Sequence, residues 1–440
     1  MPIIKTIRPH ETNGHAAVVL PVPCVNSYVG PPRIAGNMVI KIISPTPPVL
    51  GDEAYYGLVG EFLRAVEPYT EAMPAAILAQ LLPAVGTLVG PGPYIWAGNK
   101  QYARIFSVVV GPTNCGRKGT ALGPIDCLME LVDDQFWRRQ RVGGLSSGEG
   151  LIQKVSDIVE RDGEGNERVK EVEKRVFAVE EEFSRALANI RREGNILSQV
   201  MREAFDSGNL GTLTVNPRHA FGSHICVVGH ITPEELAERF DHIEMANGFG
   251  NRFMWFYVKS DKLLPHPTPI PDKVYQAVAP RLRAISKLKN RSLELAPSAM
   301  ELWEEVYPRL REDQPGLVGA VTARGSAIVL RLSLIYSLLD GKLKGIERQH
   351  LEAALAVWRY SAESAHILFQ SETGDKFCDK IVKLLSSGPM TRDEFNDHLS
   401  KTQKGKLGGA LDRLAAGNFI HKMVVKHKGA GRPSERWELT

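Results

Sequence analysis

The sequence predicts an α/β core flanked by helical regions, followed by a small winged helix-turn-helix at the C-terminus. Between residues 104 and 258, short runs rich in β-branched and aromatic residues alternate with polar, helix-compatible segments. Continuous apolar runs of this kind are typical of strands covered on both faces by helices. A glycine-rich segment follows the first run, and the chain becomes strongly basic after Asp375.

Composition sets the bounds for this interpretation. A chain of 440 residues is long enough for two or three domains, and 43% hydrophobic with 24% charged residues is typical of a soluble globular protein. The longest apolar runs contain Pro and Gly, so we predict no transmembrane segment, and without a signal-peptide pattern we expect the cytoplasm. Five scattered cysteines without a C-x-x-C pair support neither a disulfide scaffold nor a zinc site.

The N-terminal part divides into two segments. Residues 1–52 are rich in Pro, Gly and Val and end in the breaker cluster SPTPPVLGDEA, which predicts an arm or linker. Residues 53–103 show helical spacing of apolar residues, which predicts two helices broken near Pro68.

Residues 104–265 are predicted to form the α/β core. Its strands are expected at 104–111, 175–180, 224–231 and 252–258. A proline-rich link then leads into a predicted helical domain, residues 266–373, whose segment from 275 to 370 carries only helical patterns. The C-terminal module covers residues 374–440.

The glycine-rich segment GPTNCGRKGT follows the first predicted strand. Gly111 and Gly116 have the spacing of a phosphate-binding loop, G-x-x-x-x-G-K-[ST], but Arg117 precedes Lys118 and Gly119 precedes Thr120. A helix is expected after the loop, with Pro124 limiting where it starts. The alternative is a glycine-rich turn with a solvated lysine. The predicted phosphate-binding residues are Gly111, Thr113, Asn114, Cys115, Gly116, Arg117, Lys118, Gly119 and Thr120.

Three carboxylates end the second predicted strand. Glu180, Glu181 and Glu182 follow the run VFAV, and an ATPase places such a group beside magnesium and the attacking water. We expect this strand to neighbour the strand of the glycine-rich loop. The alternative is a helix start whose glutamates interact with the helix dipole.

Two further polar positions follow strands or turns. His230 lies at the end of the third predicted strand, where ATPases place a sensor of the γ-phosphate, while Thr232 and Glu235 alternatively form a helix capping box. Gly248 and Gly250 form a turn that presents Arg252, as expected of an arginine supplied to a neighbouring subunit. A surface arginine at a strand start is the alternative.

Seven ordered motifs carry a family resemblance: VVVGPTNCGRKGTA, GLSSGEGLI, VEEEFSRAL, REGNILSQVMREAFDSGNLGTLTVNP, HICVVGHITPEEL, NGFGNRFMW and VLRLSLIYSLLD. From about Leu58 to Gln370 the chain resembles an uncharacterised helicase-like family of phages, plasmids and integrated elements, often encoded with or fused to a primase. In that family the loop is typically spelled RKGT. The resemblance implies a RecA-like P-loop ATPase that acts on DNA as a ring or hexamer and has a primase as a partner.

The resemblance also implies roles for individual residues, with ATP and Mg²⁺ as cofactors. Lys118 matches the phosphate lysine, and Thr120 with Glu181 the magnesium ligands. Glu181 and Glu182 match the acidic pair, His230 the sensor and Arg252 the arginine finger. Glu149, Ser146 and Ser147 of the GLSSGEGLI motif are expected near the nucleotide or its water, or alternatively as a helix cap.

DNA contacts are predicted in two places. Arg192, Arg202 and Arg218 lie between the acidic strand and the strand of His230, where RecA-like motors place DNA-contacting loops. A solvated helix face is the alternative. Single-stranded DNA and duplex origin DNA are the expected partners.

The C-terminal module holds 13 Lys and Arg against 8 Asp and Glu. Its pattern of three helices and a two-stranded wing predicts DNA binding through Lys401, Lys404, Lys406 and Arg413 of the third helix and Lys426, Lys428 and Arg432 of the wing. Use of the same fold for protein contact is the alternative.

Two functions are compatible with these features. The first is an ATP-driven DNA motor, a ring-forming helicase in the replication of a mobile element. The second is a DNA-binding initiator or regulator that binds the nucleotide without hydrolysing it.

Overall fold

A computed structural model describes residues 45–161, 167–213, 218–240, 247–314, 316–369, 375–417, 419–425 and 434–440. Met1–Ser44 and Pro45–Thr440 are separate units, and every described residue belongs to the second. Most of the predicted N-terminal arm therefore lies outside the described residues, as do Lys426, Lys428 and Arg432 of the predicted wing.

The first half of the described chain alternates helices and strands. In chain order they are α1 Gly57–Val66, α2 Pro74–Val89, β1 Pro93–Trp96, β2 Lys100–Tyr102, β3 Phe106–Val110, α3 Lys118–Gln140, β4 Arg141–Val142, α4 Gly148–Val155, β5 Ile158–Arg161, β6 Glu167–Lys170, β7 Arg175–Glu180, α5 Phe183–Ile190, α6 Leu197–Asp206, β8 Leu210–Thr212, β9 Arg218–Ala220, β10 His224–Ile231, α7 Pro233–Arg239 and β11 Phe253–Tyr257.

The second half is mainly helical. Its elements are α8 Asp272–Ile285, β12 Arg291–Leu295, α9 Pro297–Leu310, α10 Gly316–Thr322, α11 Gly325–Asp340, β13 Gly345–Ile346, α12 Arg348–Phe369, α13 Lys376–Leu385, β14 Met390–Thr391, α14 Arg392–Asp397, α15 Lys401–Ala416, β15 Ile420–Val425 and β16 Ser434–Leu439.

Five parallel strands form the central sheet, in the order β11-β3-β10-β7-β4. The predicted α/β core with a helix-covered sheet is confirmed, and all four predicted strands are present. Every residue of β3, β10 and β11 is buried. α12 covers the edge strand β11, because the hydroxyls of Ser361 and Ser364 accept hydrogen bonds from the backbone N–H groups of Trp255 and Tyr257.

β7, which leads into the three glutamates, does not neighbour β3, which leads into the glycine-rich loop. The prediction that these two strands are neighbours is therefore wrong. β10 lies between β3 and β7 and pairs with both. The chain leaves β3 for the far edge at β4, returns through β7 and β10, and then crosses β3 to reach β11. Strand order depends on these long crossovers, which short sequence patterns do not encode.

Pro124 does not limit the start of the helix after the loop. α3 begins at Lys118 and contains Pro124 in its second turn. A proline there removes the N–H that would bond the carbonyl of Thr120, a loss that a helix tolerates best near its first turn, and Thr120 is an exposed residue.

A second sheet, in the order β13-β12-β1-β2, joins two regions that were predicted to be helical. β1 pairs with β12 in parallel, which brings Pro93 opposite Arg291. The prediction of helices alone for residues 53–103 and 275–370 is therefore incomplete. Leu293 is the one fully buried residue of β12, so this strand lacks the apolar run that marks the central strands.

Buried arginines donate hydrogen bonds to the last backbone carbonyls of α6. Nη1 of Arg104 donates to the carbonyl of Ala204 at 3.0 Å, and Nη1 of Arg331 donates to the carbonyl of Phe205 at 3.0 Å. Both arginines are only 2% exposed. The last carbonyls of a helix have no partners within it and carry partial negative charge, so these guanidinium groups supply both donors and charge.

Two more arginines bind the side chain of Asp206, the last residue of α6. Nη2 of Arg252 contacts Oδ2, and Nη1 of Arg324 lies 2.8 Å from Oδ1. We call Arg104, Arg252, Arg324 and Arg331 the arginine hub. Arg104 precedes β3 and Arg252 precedes β11, whereas Arg324 is the N-cap of α11 and Arg331 lies within that helix. The hub therefore joins the central sheet to the helical region.

Residues 375–440 form their own hydrophobic core. It contains Ile381, Phe395, Leu411 and Trp437. α13, α14 and α15 pack with a three-stranded antiparallel sheet in the order β14-β16-β15. Capping boxes begin α14 at Thr391 and α15 at Ser400.

One helical stretch, Gly316–Asp340, has the length and apolarity of a membrane span, but 61% of its most apolar window is buried inside the protein. Such burial is consistent with a core helix of a soluble protein.

Replacing Arg331 with methionine tests the arginine hub. Nη1 of Arg331 also donates to the carbonyl of Arg104 at 3.2 Å. Arg331→Met leaves that carbonyl and the carbonyl of Phe205 without this donor, so we expect the free energy of unfolding to fall by about 2–4 kcal/mol in urea titrations. Arg348→Met, which removes an exposed pair with Glu352, is the control and is expected to cost less than about 0.5 kcal/mol. Equal stability of the two variants would contradict the role of the hub.

Candidate functional site

A cavity of about 390 Å³ opens at the carboxyl ends of β3, β7 and β10. The chain leaves β3 towards β4 but leaves its neighbour β10 towards β11. Ligands of open α/β sheets bind at such a point, where connections from adjacent strands run in opposite directions. The lining residues are Thr113, Asn114, Arg117, Lys118, Gly119, Thr120, Glu181, Glu182, His230, Ile231, Thr232 and Glu235.

Two glycines of the loop are required by the fold itself. A Cβ atom at Gly111 would lie 2.5 Å from the carbonyl oxygen of Val258, and one at Gly116 would lie 2.6 Å from that of Pro112. The loop closes on itself through a hydrogen bond of 2.9 Å from the N–H of Gly116 to the Pro112 carbonyl. Gly111, Gly116 and Cys115 shape the loop but do not line the cavity.

Gly119 is different because the fold does not require it. It lies in the first turn of α3, and a Cβ atom there would have no neighbour within 4 Å. Alanine inside a helix is favoured over glycine by about 1 kcal/mol. A glycine kept at the cavity wall, where the fold allows a side chain, leaves the helix backbone open to a ligand.

Arg117 adopts a left-handed backbone conformation with φ 46°, the one positive φ of a non-glycine residue among those the structure describes. Its guanidinium forms an ion pair of 2.5 Å with Glu71, which also accepts a hydrogen bond of 2.8 Å from the N–H of Leu264. This tether holds Arg117 in a costly conformation that directs the chain into α3. Backbone strain of this kind is concentrated at functional sites.

Lys118 is the first residue of α3 and lines the cavity. Its Nζ donates a hydrogen bond to the carbonyl of Gly111, and burial lowers the pKa of its ammonium group, while Glu235 opposes that effect. The free N–H groups and positive dipole end of α3 add to this charge. Together with the exposed residues Thr113, Asn114 and Thr120, they form a site suited to a phosphate chain.

The three predicted carboxylates have different surroundings. Glu180 is buried, accepts a hydrogen bond from the N–H of Leu145, and has a pKa raised by burial. It fixes the segment after β4 and does not line the cavity, so a catalytic role for Glu180 is not supported. Glu181 and Glu182 are exposed and line the cavity.

Sequence reasoning missed Arg141 and Glu235. Arg141 lies 3.4 Å from Glu181 and 2.8 Å from Asp126, so it restrains the side chain of Glu181. Glu235 completes the capping box of α7 with Thr232 and also faces the cavity. The capping motif was visible in the sequence, but the position of Glu235 near Lys118 depends on strand order.

His230 is buried at the end of β10, where its Nε2 lies 2.9 Å from Oε1 of Gln80. Burial, followed by the charge of Lys118, lowers the pKa of its imidazole to about 3. The ring is therefore neutral at physiological pH. Gln80 lies on α2 and carries no motif that could have indicated its role.

Arg252 is not available as an arginine finger in this structure. It is 7% exposed, and its guanidinium is bound by Asp206 and by the carbonyl of Gly248. An arginine offered to a neighbouring subunit needs an exposed guanidinium, so the geometry does not support that prediction. The turn at Gly248 folds Arg252 inward instead.

No family model matches the chain, and a comparison with curated proteins finds no match. The resemblance to a helicase-like family therefore stays a prediction.

The residues predicted near DNA or near the nucleotide water have mixed surroundings. Arg192 is exposed, Arg218 is exposed and donates to Gln153 at 2.6 Å, and Arg202 is partly buried and donates to the carbonyl of Asn247. Ser147 caps α4 by accepting from the N–H of Gly150, as the helix-cap alternative proposed. Ser146, Ser147 and Glu149 do not line the cavity.

The third helix of the C-terminal module presents a basic face. Lys401, Lys404 and Lys406 are exposed on α15. Arg413 lies 3.0 Å from Asp375, the N-cap of α13, so it contributes to contact between helices and is less available to a groove.

Among the described residues, one group of possible metal ligands comes within 4.8 Å of one another: Asp340, Glu347 and His350. Nδ1 of His350 accepts from the N–H of Glu347 at 2.9 Å, so Nε2 carries the proton and faces Asp340 at 3.2 Å. Both ring nitrogens are in use, and Tyr56 also donates to Asp340. The group joins α11 to α12 and does not resemble a metal site.

The low pKa of His230 predicts a loss of stability in acid. The unfolded histidine gains a proton below its ordinary pKa of about 6.5, whereas the folded one stays neutral down to about pH 3. The contribution of the neutral His230 ring to the free energy of unfolding is therefore fully present above pH 6.5 and is lost progressively as the pH falls towards 3. Between about pH 7.5 and pH 5, the wild type should lose about 2 kcal/mol more unfolding free energy than His230→Gln.

Urea titrations at the two pH values measure this difference. His219→Gln, at an exposed position, is the control for removal of a histidine elsewhere. Identical losses for the wild type and His230→Gln would mean that His230 is not held neutral in the folded protein.

Proposed function

We propose that the protein is an ATPase with a RecA-like P-loop core and works as a DNA motor. One observation carries the proposal: the first turn of α3, with Lys118 and Thr120, faces Glu181 and Glu182 across one cavity at the ends of parallel strands. A cationic helix N-terminus opposite carboxylates is the arrangement that phosphoryl transfer requires.

The residues present fit a magnesium-bound triphosphate. Gly119 leaves the backbone of α3 open, and Lys118 supplies an ammonium group that can turn from the Gly111 carbonyl to a phosphate oxygen. Thr120, with Glu181 or Glu182, offers the hydroxyl and carboxylate oxygens that Mg²⁺ prefers. Bound there, Mg²⁺ would neutralise charge on the phosphates.

Hydrolysis needs a carboxylate that orients the attacking water. Glu181 and Glu182 are the two exposed carboxylates that follow β7, and Arg141 holds Glu181 at 3.4 Å. Glu182 has no such ion pair within the part of the chain that the structure describes, so it is the readier group to approach the water, while Glu181 would be the one to hold Mg²⁺. This division follows from the contact with Arg141 alone.

We further propose that residues 375–440 are a winged helix-turn-helix that binds DNA. Its three helices and antiparallel strands, with exposed lysines on α15, are suited to phosphate contact. The resemblance adds a ring or hexamer, a primase partner and a role in the replication of a mobile element to the proposal. The cytoplasmic location expected from the sequence completes it.

The engaged state of Arg252 favours the second candidate function, a DNA-binding initiator that binds the nucleotide without hydrolysing it. Without an exposed arginine at that position, a neighbouring subunit would lack the group expected to complete the site. Hydrolysis therefore separates the two functions.

Release of phosphate from ATP, with and without single-stranded DNA, tests the proposal. The wild type should hydrolyse ATP faster with DNA. Lys118→Ala should abolish hydrolysis because it removes the one ammonium group at the first turn of α3. Lys342→Ala, at a lysine outside the cavity, is the control and should keep wild-type turnover.

Persistence of hydrolysis in Lys118→Ala would contradict the assignment of the loop. Tight ATP binding by the wild type without turnover would select the initiator.

A substitution on α15 tests the DNA interface in the same assay. Lys404→Glu should weaken the stimulation of hydrolysis by DNA and the salt dependence of that stimulation. Lys383→Glu, at an exposed lysine on α13, is the matched control. Equal DNA effects in those two variants would remove α15 from the DNA interface.

A further inference from the structure

A buried glutamine on α2 contacts two parts of the cavity wall. Gln80 is fully buried, and its Nε2 donates to the carbonyl of Ala76 at 3.1 Å and to the carbonyl of Lys118 at 3.2 Å. Two carbonyl partners identify that atom as the amide nitrogen. The remaining atom, Oε1, is therefore the oxygen that lies 2.9 Å from Nε2 of His230.

This contact determines the protonation state of the His230 ring. An amide oxygen only accepts, so Nε2 of His230 must carry a proton and donate it. A neutral imidazole has one such proton, which leaves Nδ1 with a free lone pair. Within the described part of the chain, Nδ1 has no hydrogen-bond partner and is not a buried unsatisfied atom.

We propose that Gln80 is a positioning residue that holds His230 as an Nε2-protonated ring, so that Nδ1 accepts a hydrogen bond from the attacking water in the cavity. The inference rests on the proposed function and changes the role predicted for His230. A neutral acceptor repels a phosphate oxygen, so direct sensing of the γ-phosphate through Nδ1 does not fit this ring. A water molecule or hydroxyl group is the donor that fits.

The surrounding charges agree with this assignment. Burial disfavours a second proton on the ring, and the charges of Lys118 and Arg141 act in the same direction. Glu181 and Glu182 line the same cavity and can share a water molecule with Nδ1. Since Gln80 also bonds the carbonyl of Lys118, the same amide ties the position of the imidazole to the first residue of α3.

The ring can be observed without any enzymatic activity. Full-length protein labelled with ¹⁵N-histidine reports each tautomer through its ring nitrogen shifts, and the loss of one signal set in His230→Asn assigns His230. The wild type should show a neutral Nε2-protonated ring throughout the neutral range. An Nδ1-protonated ring, or a ring that titrates near neutrality, would overturn the inference whether or not the protein hydrolyses ATP.

Two substitutions at His230 separate the ring atoms. The amide of asparagine lies near the position of Nδ1, so His230→Asn keeps a hydrogen-bond acceptor there. The longer glutamine side chain reaches the position of Nε2, so His230→Gln keeps only the contact with Gln80. If the protein hydrolyses ATP, His230→Asn should retain more of kcat than His230→Gln, with similar ATP affinity in both. The reverse order would overturn the role of Nδ1.

Gln80→Leu tests the positioning residue itself. Loss of the outer-shell partner of a metal-bound histidine typically costs about 10- to 100-fold in affinity or activity, and we expect a loss of similar size in kcat here, with little change in KM. The ¹⁵N spectrum of the same variant should show His230 as a mixture of tautomers. A wild-type kcat in Gln80→Leu together with an unchanged His230 tautomer would overturn the role of Gln80. If the variant does not fold, the spectrum of the wild-type protein still shows whether His230 is the Nε2-protonated ring that the contact with Gln80 requires.

Discussion

The C-terminal end of α6 is the point on which the architecture depends. Arg104 and Arg331 bond its last carbonyls, and Arg252 and Arg324 bind Asp206. Buried carbonyls and a carboxylate without these donors would cost several hydrogen bonds at once. Since the four arginines come from segments before β3, before β11, at the N-cap of α11 and within α11, the hub sets the sheet and the helical region relative to each other. It also explains why Arg252 is turned inward.

The walls of the cavity come from separate elements of the chain. β3 leads into the glycine-rich loop, β7 and β10 supply the carboxylates and His230, and α2 supplies Gln80, which supports the wall from behind. The two residues that depart from the usual loop spelling have separate explanations. Arg117 takes the left-handed conformation that starts α3 and is held by Glu71, whereas Gly119 leaves the backbone of the first helical turn uncovered at its own position.

The central strands were predictable from the sequence because they are buried on both faces and read as apolar runs. The capping box at Thr232 was also visible, since capping is local. Strand order, the second sheet and the burial of Arg252 were not, because each depends on contacts between segments far apart in the chain. For the same reason Glu180 resembled its two neighbours in sequence, although it lies against the backbone of Leu145.

The most direct test of the proposed function is an experimental structure of the protein with Mg²⁺ and a non-hydrolysable ATP analogue. We predict the phosphates at the first turn of α3, with Nζ of Lys118 moved from the Gly111 carbonyl to a phosphate oxygen and the metal ion near Thr120. A nucleotide bound elsewhere, or Lys118 still bonded to Gly111 in the presence of a bound nucleotide, would contradict the account.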